Sequence, residues 1–162
     1  MPRKSKGSVV VITGASSGIG RATAVRFARK GAKLVLGARR ENALREVAAE
    51  CERHGTRAIP VPTDVRDQDA VNELARQAIA AFGRIDVWVN NAGVYMFSTF
   101  HDAPADVYRS VLETNLFGQI HGVRAALPHL RAQGGGVIIN NSSILGQVGA
   151  PYLSAYAASK FG

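Results

Sequence analysis

The chain has 162 residues, 46% of them hydrophobic and 20% charged, with a formal net charge of +8. This is the composition of one globular domain. No apolar run approaches the ~18–20 residues of a membrane-spanning helix, and the single cysteine, Cys51, excludes an internal disulfide and suits a reducing cytoplasm.

Residues 1–7 form a basic stretch expected to be a disordered tail, and the apolar run 9–12 after it is too short for a secretory leader. Val9-Val10-Val11-Ile12 reads as a strand buried on both faces. The turn 13–20 leads into a helix that ends near Lys30-Gly31, where glycine caps and basic residues occupy the last turn. Lys33 to Ala38 is the second strand, and Leu44, Val47, Ala48 and Cys51 mark one face of the next helix. Residues 58–61 are a third strand. Val71, Leu74, Ala75, Ala78, Ile79 and Phe82 give a helix closed by Gly83, and residues 85–89 a fourth strand. A long helix is expected over 105–131, kinked or shortened by Pro128. Residues 137–139 form strand five, running out through Asn140-Asn141-Ser142-Ser143, and a last helix starts near Ser154. The alternation predicts an α/β fold, a Rossmann-type doubly wound parallel sheet of order 3-2-1-4-5, built as a single domain over 1–162.

Gly14, Gly18 and Gly20 follow the first strand and open a helix. Such a turn lets backbone approach a pyrophosphate, which the helix N-terminus then attracts. At the end of the second strand an acid would select the ribose 2′-hydroxyl of NAD(H). Here stand Arg39 and Arg40. The planar fork of Arg39 suits a 2′-phosphate, so NADP(H) is favoured over NAD(H). Asp64, with Val65 beside it, offers a carboxylate to the adenine amino group; a turn or helix-capping role is the competing reading. Tyr156 and Lys160 are four apart and share one helix face. An unperturbed tyrosine has a pKa of ~10, and a neighbouring ammonium makes the phenol a better proton donor near neutrality. Ser143, thirteen positions before Tyr156, is placed to hold the reacting oxygen. His101, His121 and His129 form no ligand grouping, so no metal is expected.

Together Thr13 to Gly20, Asp64, Asn90-Asn91-Ala92-Gly93, Asn115, Ser143, Tyr156 and Lys160 resemble the classical short-chain dehydrogenase/reductase (SDR) family over residues 9–162. The resemblance implies that Tyr156 is the catalytic acid/base and that Lys160 holds the nicotinamide ribose. It implies that Ser143 donates to the substrate oxygen and Asn115 supports a proton-relay water. It places the cofactor on Gly14, Ser16, Ser17, Gly18, Ile19, Gly20, Arg39, Asp64, Val65, Asn91, Ala92 and Gly93, as well as on Tyr156 and Lys160. Asn90 is implied to steady the central sheet and the cofactor. Family members continue past Lys160 with two more strands and a substrate loop, so by that comparison the domain is incomplete at its C-terminus and strand five is an exposed apolar edge.

The activity so implied is NADP(H)-dependent interconversion of a ketone or aldehyde and an alcohol, on a small-molecule substrate, by a homo-oligomer when full length. A non-catalytic NADP(H)-binding module, or an inactive fragment of such an enzyme, is the alternative. Residues 1–40 carry ten Lys or Arg and no acid, yet these are scattered over strand, turn and helix. Neither nucleic acid nor membrane is therefore an expected partner.

Overall fold

A computed structural model describes residues 6–162. Its five-stranded parallel sheet has the order β3-β2-β1-β4-β5. The strands are β1 (Val9–Thr13), β2 (Lys33–Ala38), β3 (Ala58–Pro62), β4 (Val87–Asn90) and β5 (Val137–Asn140). The helices are α1 (Gly18–Ala28), α2 (Glu41–Glu52), α3 (Gln68–Phe82), α4 (Ala105–Leu112), α5 (Gly118–Ala132) and α6 (Ser154–Phe161). The predicted order is thus the observed one, and the Rossmann-type doubly wound arrangement follows from it.

Alternation along the strands divides the core in two. Val10 and Ile12 of β1, with Leu34 and Leu36 of β2, pack under α1 and α2 against Ala24, Ala28, Leu44, Val47 and Cys51. Val11, Val35 and Trp88 face the other way, toward Leu74 and Ala78 of α3 and Ala125, Ala126 and Leu130 of α5. Because both faces are covered, β1 is buried along its whole length. The caps at α3 match their residue types: Asp67 accepts from the N–H groups of Asp69 and Ala70, and Gly83 closes the helix in the left-handed conformation at φ 74°.

Three expectations change. The fourth strand starts at Val87 rather than Ile85, although the Asp86 backbone already bonds to both neighbours, its N–H donating to the Val9 carbonyl and its carbonyl accepting from the Val137 N–H, each at 2.9 Å. The long helix is three pieces: α4, a π turn at Glu113–Phe117, and α5, which runs through Pro128 to Ala132. The break sits at Asn115 rather than at the proline, since the buried Asn115 side chain bonds outside its own helix. Of the basic tail, residues 1–5 lie outside the described residues. Lys6 and Gly7 form a turn whose Gly7 N–H donates to the Gly31 carbonyl at 2.8 Å. Val137 and Ile139 on β5 are exposed at 42% and 43%, as an apolar edge should be. No helix among the described residues is long and apolar enough to cross a membrane.

Candidate functional site

A cleft of about 500 Å³ opens across the C-terminal ends of β1, β2, β3 and β4, where the strand order reverses direction. The β1–α1 turn forms its floor. Gly14 sits at φ +65°, a conformation that favours glycine. A Cβ on Gly20 would lie on the Gly14 carbonyl oxygen and 2.6 Å from Asn91 Nδ2, so the turn closes only around bare backbone. The N-cap Ser17 makes no side-chain capping bond to α1, and a helix N-terminus of this kind offers N–H donors and a positive dipole end to an anion. Thr13 locks this turn to the next strand: its Oγ1 accepts from the N–H groups of Asn91 (3.0 Å) and Ala92 (3.2 Å). Asn91 Nδ2 donates back to the Thr13 and Gly14 carbonyls.

Arg39 and Arg40 line the cleft at the end of β2, both exposed, and Asp64 and Val65 line it after β3. The Asp64 carboxylate is not free. Arg66 holds it through Nη2 at 2.6 Å and Nε at 3.0 Å on one oxygen, and through Nε at 3.1 Å and its own backbone N–H at 3.0 Å on the other. That guanidinium, with a smaller contribution from Arg39, keeps the Asp64 carboxyl below its ordinary value of 3.8. The turn role weighed for Asp64 is therefore present in the structure, alongside its place in the cleft wall.

At the opposite end stand Tyr156 and Lys160, on the first turns of α6. The Lys160 ammonium lies 5.7 Å from the Tyr156 ring centroid and donates to the Asn141 carbonyl at 2.8 Å. Lys160 is half-buried, and burial lowers its pKa from 10.5. The aromatic pair Phe97 and Tyr152 lies in the two loops that precede α4 and α6, with ring centroids 5.2 Å apart. The Tyr152 carbonyl accepts from the Ser98 N–H, and its φ of 64° is the one left-handed non-glycine conformation among the described residues.

The cleft brings together Gly14, Ser16, Ser17, Gly18, Ile19, Arg39, Asp64, Val65, Asn91, Ala92, Gly93, Tyr156 and Lys160. Gly20, Asn115 and Ser143 are not in its lining. Gly20 supports the turn from below. Asn115 is fully buried: its Oδ1 accepts from the Val94 N–H, and its Nδ2 donates to the Val94 carbonyl and to Ser159 Oγ, each within 2.9 Å. Ser159 in turn donates to the Tyr156 carbonyl. Asn115 thus splices the loop after β4 to the catalytic-helix candidate α6, and both amide hydrogens are spent in doing so. Ser143 caps a short 3₁₀ turn, its Oγ accepting from the Leu145 N–H at 3.2 Å. Sequence reading missed Asn141, Thr63, Thr114 and Tyr95 in the lining, and Arg66 behind it. The Arg at i+2 from Asp64 was the one visible signal, whereas Asn141 contributes a carbonyl that no side chain advertises. No group of three His, Cys, Asp or Glu that could hold a metal occurs among the described residues.

Comparison with known proteins agrees with this architecture. Residues 8–162 match the family described as short chain dehydrogenase. The uncharacterized oxidoreductase YxnA of Bacillus subtilis is 44% identical over 160 residues, which are 98% of this chain and 45% of that protein. The L-rhamnose 1-dehydrogenase (NAD(P)(+)) of a Sphingomonas species is 39% identical over 159 residues, covering 97% of this chain and 63% of the relative. A crystal structure of a short chain dehydrogenase/reductase from Burkholderia phymatum in complex with NAD superimposes with a TM-score of 0.94 at 37% identity, over 98% of this chain and 57% of that one. The chain therefore spans about half to two thirds of the length of these proteins.

Proposed function

Because the chain belongs to the short chain dehydrogenase family, we propose that it serves an NADP(H)-dependent oxidoreductase that interconverts a ketone or aldehyde and an alcohol. The observation that carries this reading is a dinucleotide-sized cleft with an uncapped helix N-terminus and bare-backbone turn at its centre, two arginines at one end, and Tyr156 with Lys160 at the other. The residues fit the cofactor. Gly14 and Gly20 leave the space that a pyrophosphate needs, and the first turn of α1 supplies N–H donors and a positive dipole end. Arg39 offers a bidentate fork to a 2′-phosphate, and the cleft lining has no acid at the end of β2 to repel it. NAD itself is bound by the Burkholderia relative, so the preference for NADP(H) rests on Arg39 in this chain. When bound, the nicotinamide supplies or accepts the hydride.

The chain's own residues manage the proton. Tyr156 gives its hydroxyl proton to the carbonyl oxygen during reduction and takes it back during oxidation. Lys160, its ammonium held by the Asn141 carbonyl, stabilises the phenolate by charge and presents the remaining donors toward the ribose hydroxyls. Asn115 acts in this reading as a positioning residue, through Ser159, on the helix that bears Tyr156. Ser143 keeps its hydroxyl hydrogen available, because in its cap the oxygen accepts; it lies outside the cleft lining, and its donation to the substrate oxygen rests on the family resemblance. A homo-oligomer is proposed for the whole protein on the family resemblance alone.

The test is Tyr156→Phe together with titration of both cofactors. NADPH binding is expected to stay within about twofold while turnover falls by about 10²–10⁴-fold or more, the range for loss of a general acid. Arg39→Ala is expected to weaken NADPH far more than NADH. A Tyr156→Phe protein that turns over normally overturns the proton-transfer assignment, and equal weakening of both cofactors overturns the NADP(H) assignment.

A further inference from the structure

Among the described residues Asp64 is the sole acid lining the cleft, and it stands at the adenosine end with Arg39 and Arg40. An uncompensated carboxylate there would do two things to a phosphorylated ligand. It would repel a dianion directly, and it would draw the flexible Arg39 guanidinium into an ion pair of its own. Neither occurs. Arg66 takes both carboxylate oxygens, through Nε and Nη2 at 2.6 to 3.1 Å, while its backbone N–H adds a further bond at 3.0 Å. The clamp is preorganised: the Asp64–Arg66 contact spans only two residues, and Nη1 of Arg66 reaches Ser110 Oγ on α4 at 3.5 Å. Among the described residues, Arg39 and Arg40 make no ion pair.

We propose that Arg66 is a cofactor-specificity residue that, by chelating Asp64, cancels the one negative charge at the adenosine end and keeps Arg39 unpaired to receive the 2′-phosphate of NADP(H). Arg66 is itself outside the cleft lining, so it acts through Asp64 and Arg39 as a positioning residue rather than as a phosphate ligand. The depressed carboxyl pKa of Asp64, caused first by Arg66 and only last by Arg39, agrees with that division of labour. The inference rests on the NADP(H) reading of the same site.

The experiment measures dissociation constants for NADPH and NADH by nicotinamide fluorescence on the wild-type protein, Arg66→Gln, Arg39→Ala and the double variant Asp64→Asn/Arg66→Gln. Arg66→Gln is expected to weaken NADPH by about tenfold and NADH by less than about threefold, because the freed carboxylate acts on the extra phosphate. The double variant removes that carboxylate while keeping an amide oxygen for the adenine, and is expected to return NADPH affinity to within about threefold of wild type. A merely structural Arg66 would weaken both cofactors alike and show no rescue, and either result overturns the proposal. Failure of the underlying reading shows in other arms: a wild-type protein without NADPH preference, or equal losses in Arg39→Ala, removes the phosphate site and the proposal with it.

Discussion

Gly122 on α5 offers a sharp test of which force governs the central sheet. Helix propensity alone makes Gly122→Ala a gain of about 1 kcal/mol. The structure reverses the sign. A Cβ at this position would lie on Asn90 Oδ1 and 2.6 Å from Trp88 Nε1. Those two atoms form a buried hydrogen bond of 2.7 Å, with Trp88 0% and Asn90 1% exposed. Asn90 also donates to the Gln119 carbonyl at 3.2 Å and to Asn140 Oδ1 at 2.8 Å. Forcing a methyl into this cluster costs about 1–3 kcal/mol in overpacking. Orphaning the indole N–H costs about 1–3 kcal/mol more. Against the propensity gain, the net is a destabilisation of about 3 kcal/mol. Trp88 is the only tryptophan, so its emission during urea unfolding reports from the cluster itself. With an m-value of ~1–3 kcal/mol/M, the midpoint should fall by about 1 M or more. A midpoint that is unchanged or raised would show that α5 retreats from β4 at little cost, and the close-approach argument would fail.

Gly20→Ala should cost the first turn of α1 its seat on the Gly14 carbonyl, lowering NADPH affinity by at least about tenfold; unchanged affinity by titration would show that the turn is not the anion cradle. Arg66 lowers the Asp64 carboxyl pKa, so the folded state binds fewer protons there than the unfolded chain. The stabilisation is full above the unfolded value and vanishes as pH falls through the folded one. The difference in urea midpoint between wild type and Asp64→Asn should therefore be largest above about pH 5 and shrink at lower pH, and a difference independent of pH would contradict the ion-pair account. Burial, reinforced by Glu50 and Glu52, pushes the Cys51 thiol up to about 11. At pH 8 only about one molecule in a thousand carries the thiolate, so iodoacetamide should label the native protein very slowly and the urea-unfolded protein readily. Rapid native labelling would place Cys51 outside the core.

Local rules of chain geometry were enough to read the order of strands and helices, the glycine turn and the Tyr156–Lys160 face. A strand buried on both sides must be continuously apolar, as Val9 to Ile12 are. Side chains at i and i+4 must share a helix face, so Tyr156 and Lys160 reach one end of one cleft wherever α6 packs. Partner choice was beyond such rules. Asp64 has arginines within reach on two different elements, and only the fold shows that Arg66 takes it while Arg39 stays unpaired. Asn115 looks the same whether it holds water, cofactor or backbone; tertiary contact commits its amide to Val94 and Ser159 and turns one predicted helix into two joined by a π turn. The Asn141 carbonyl that anchors Lys160 is a backbone group, identical at every position of the chain. Periodicity records which face of an element is buried, but the pairing of charges and amides across elements depends on distances set only when the sheet, its helices and their loops have packed together.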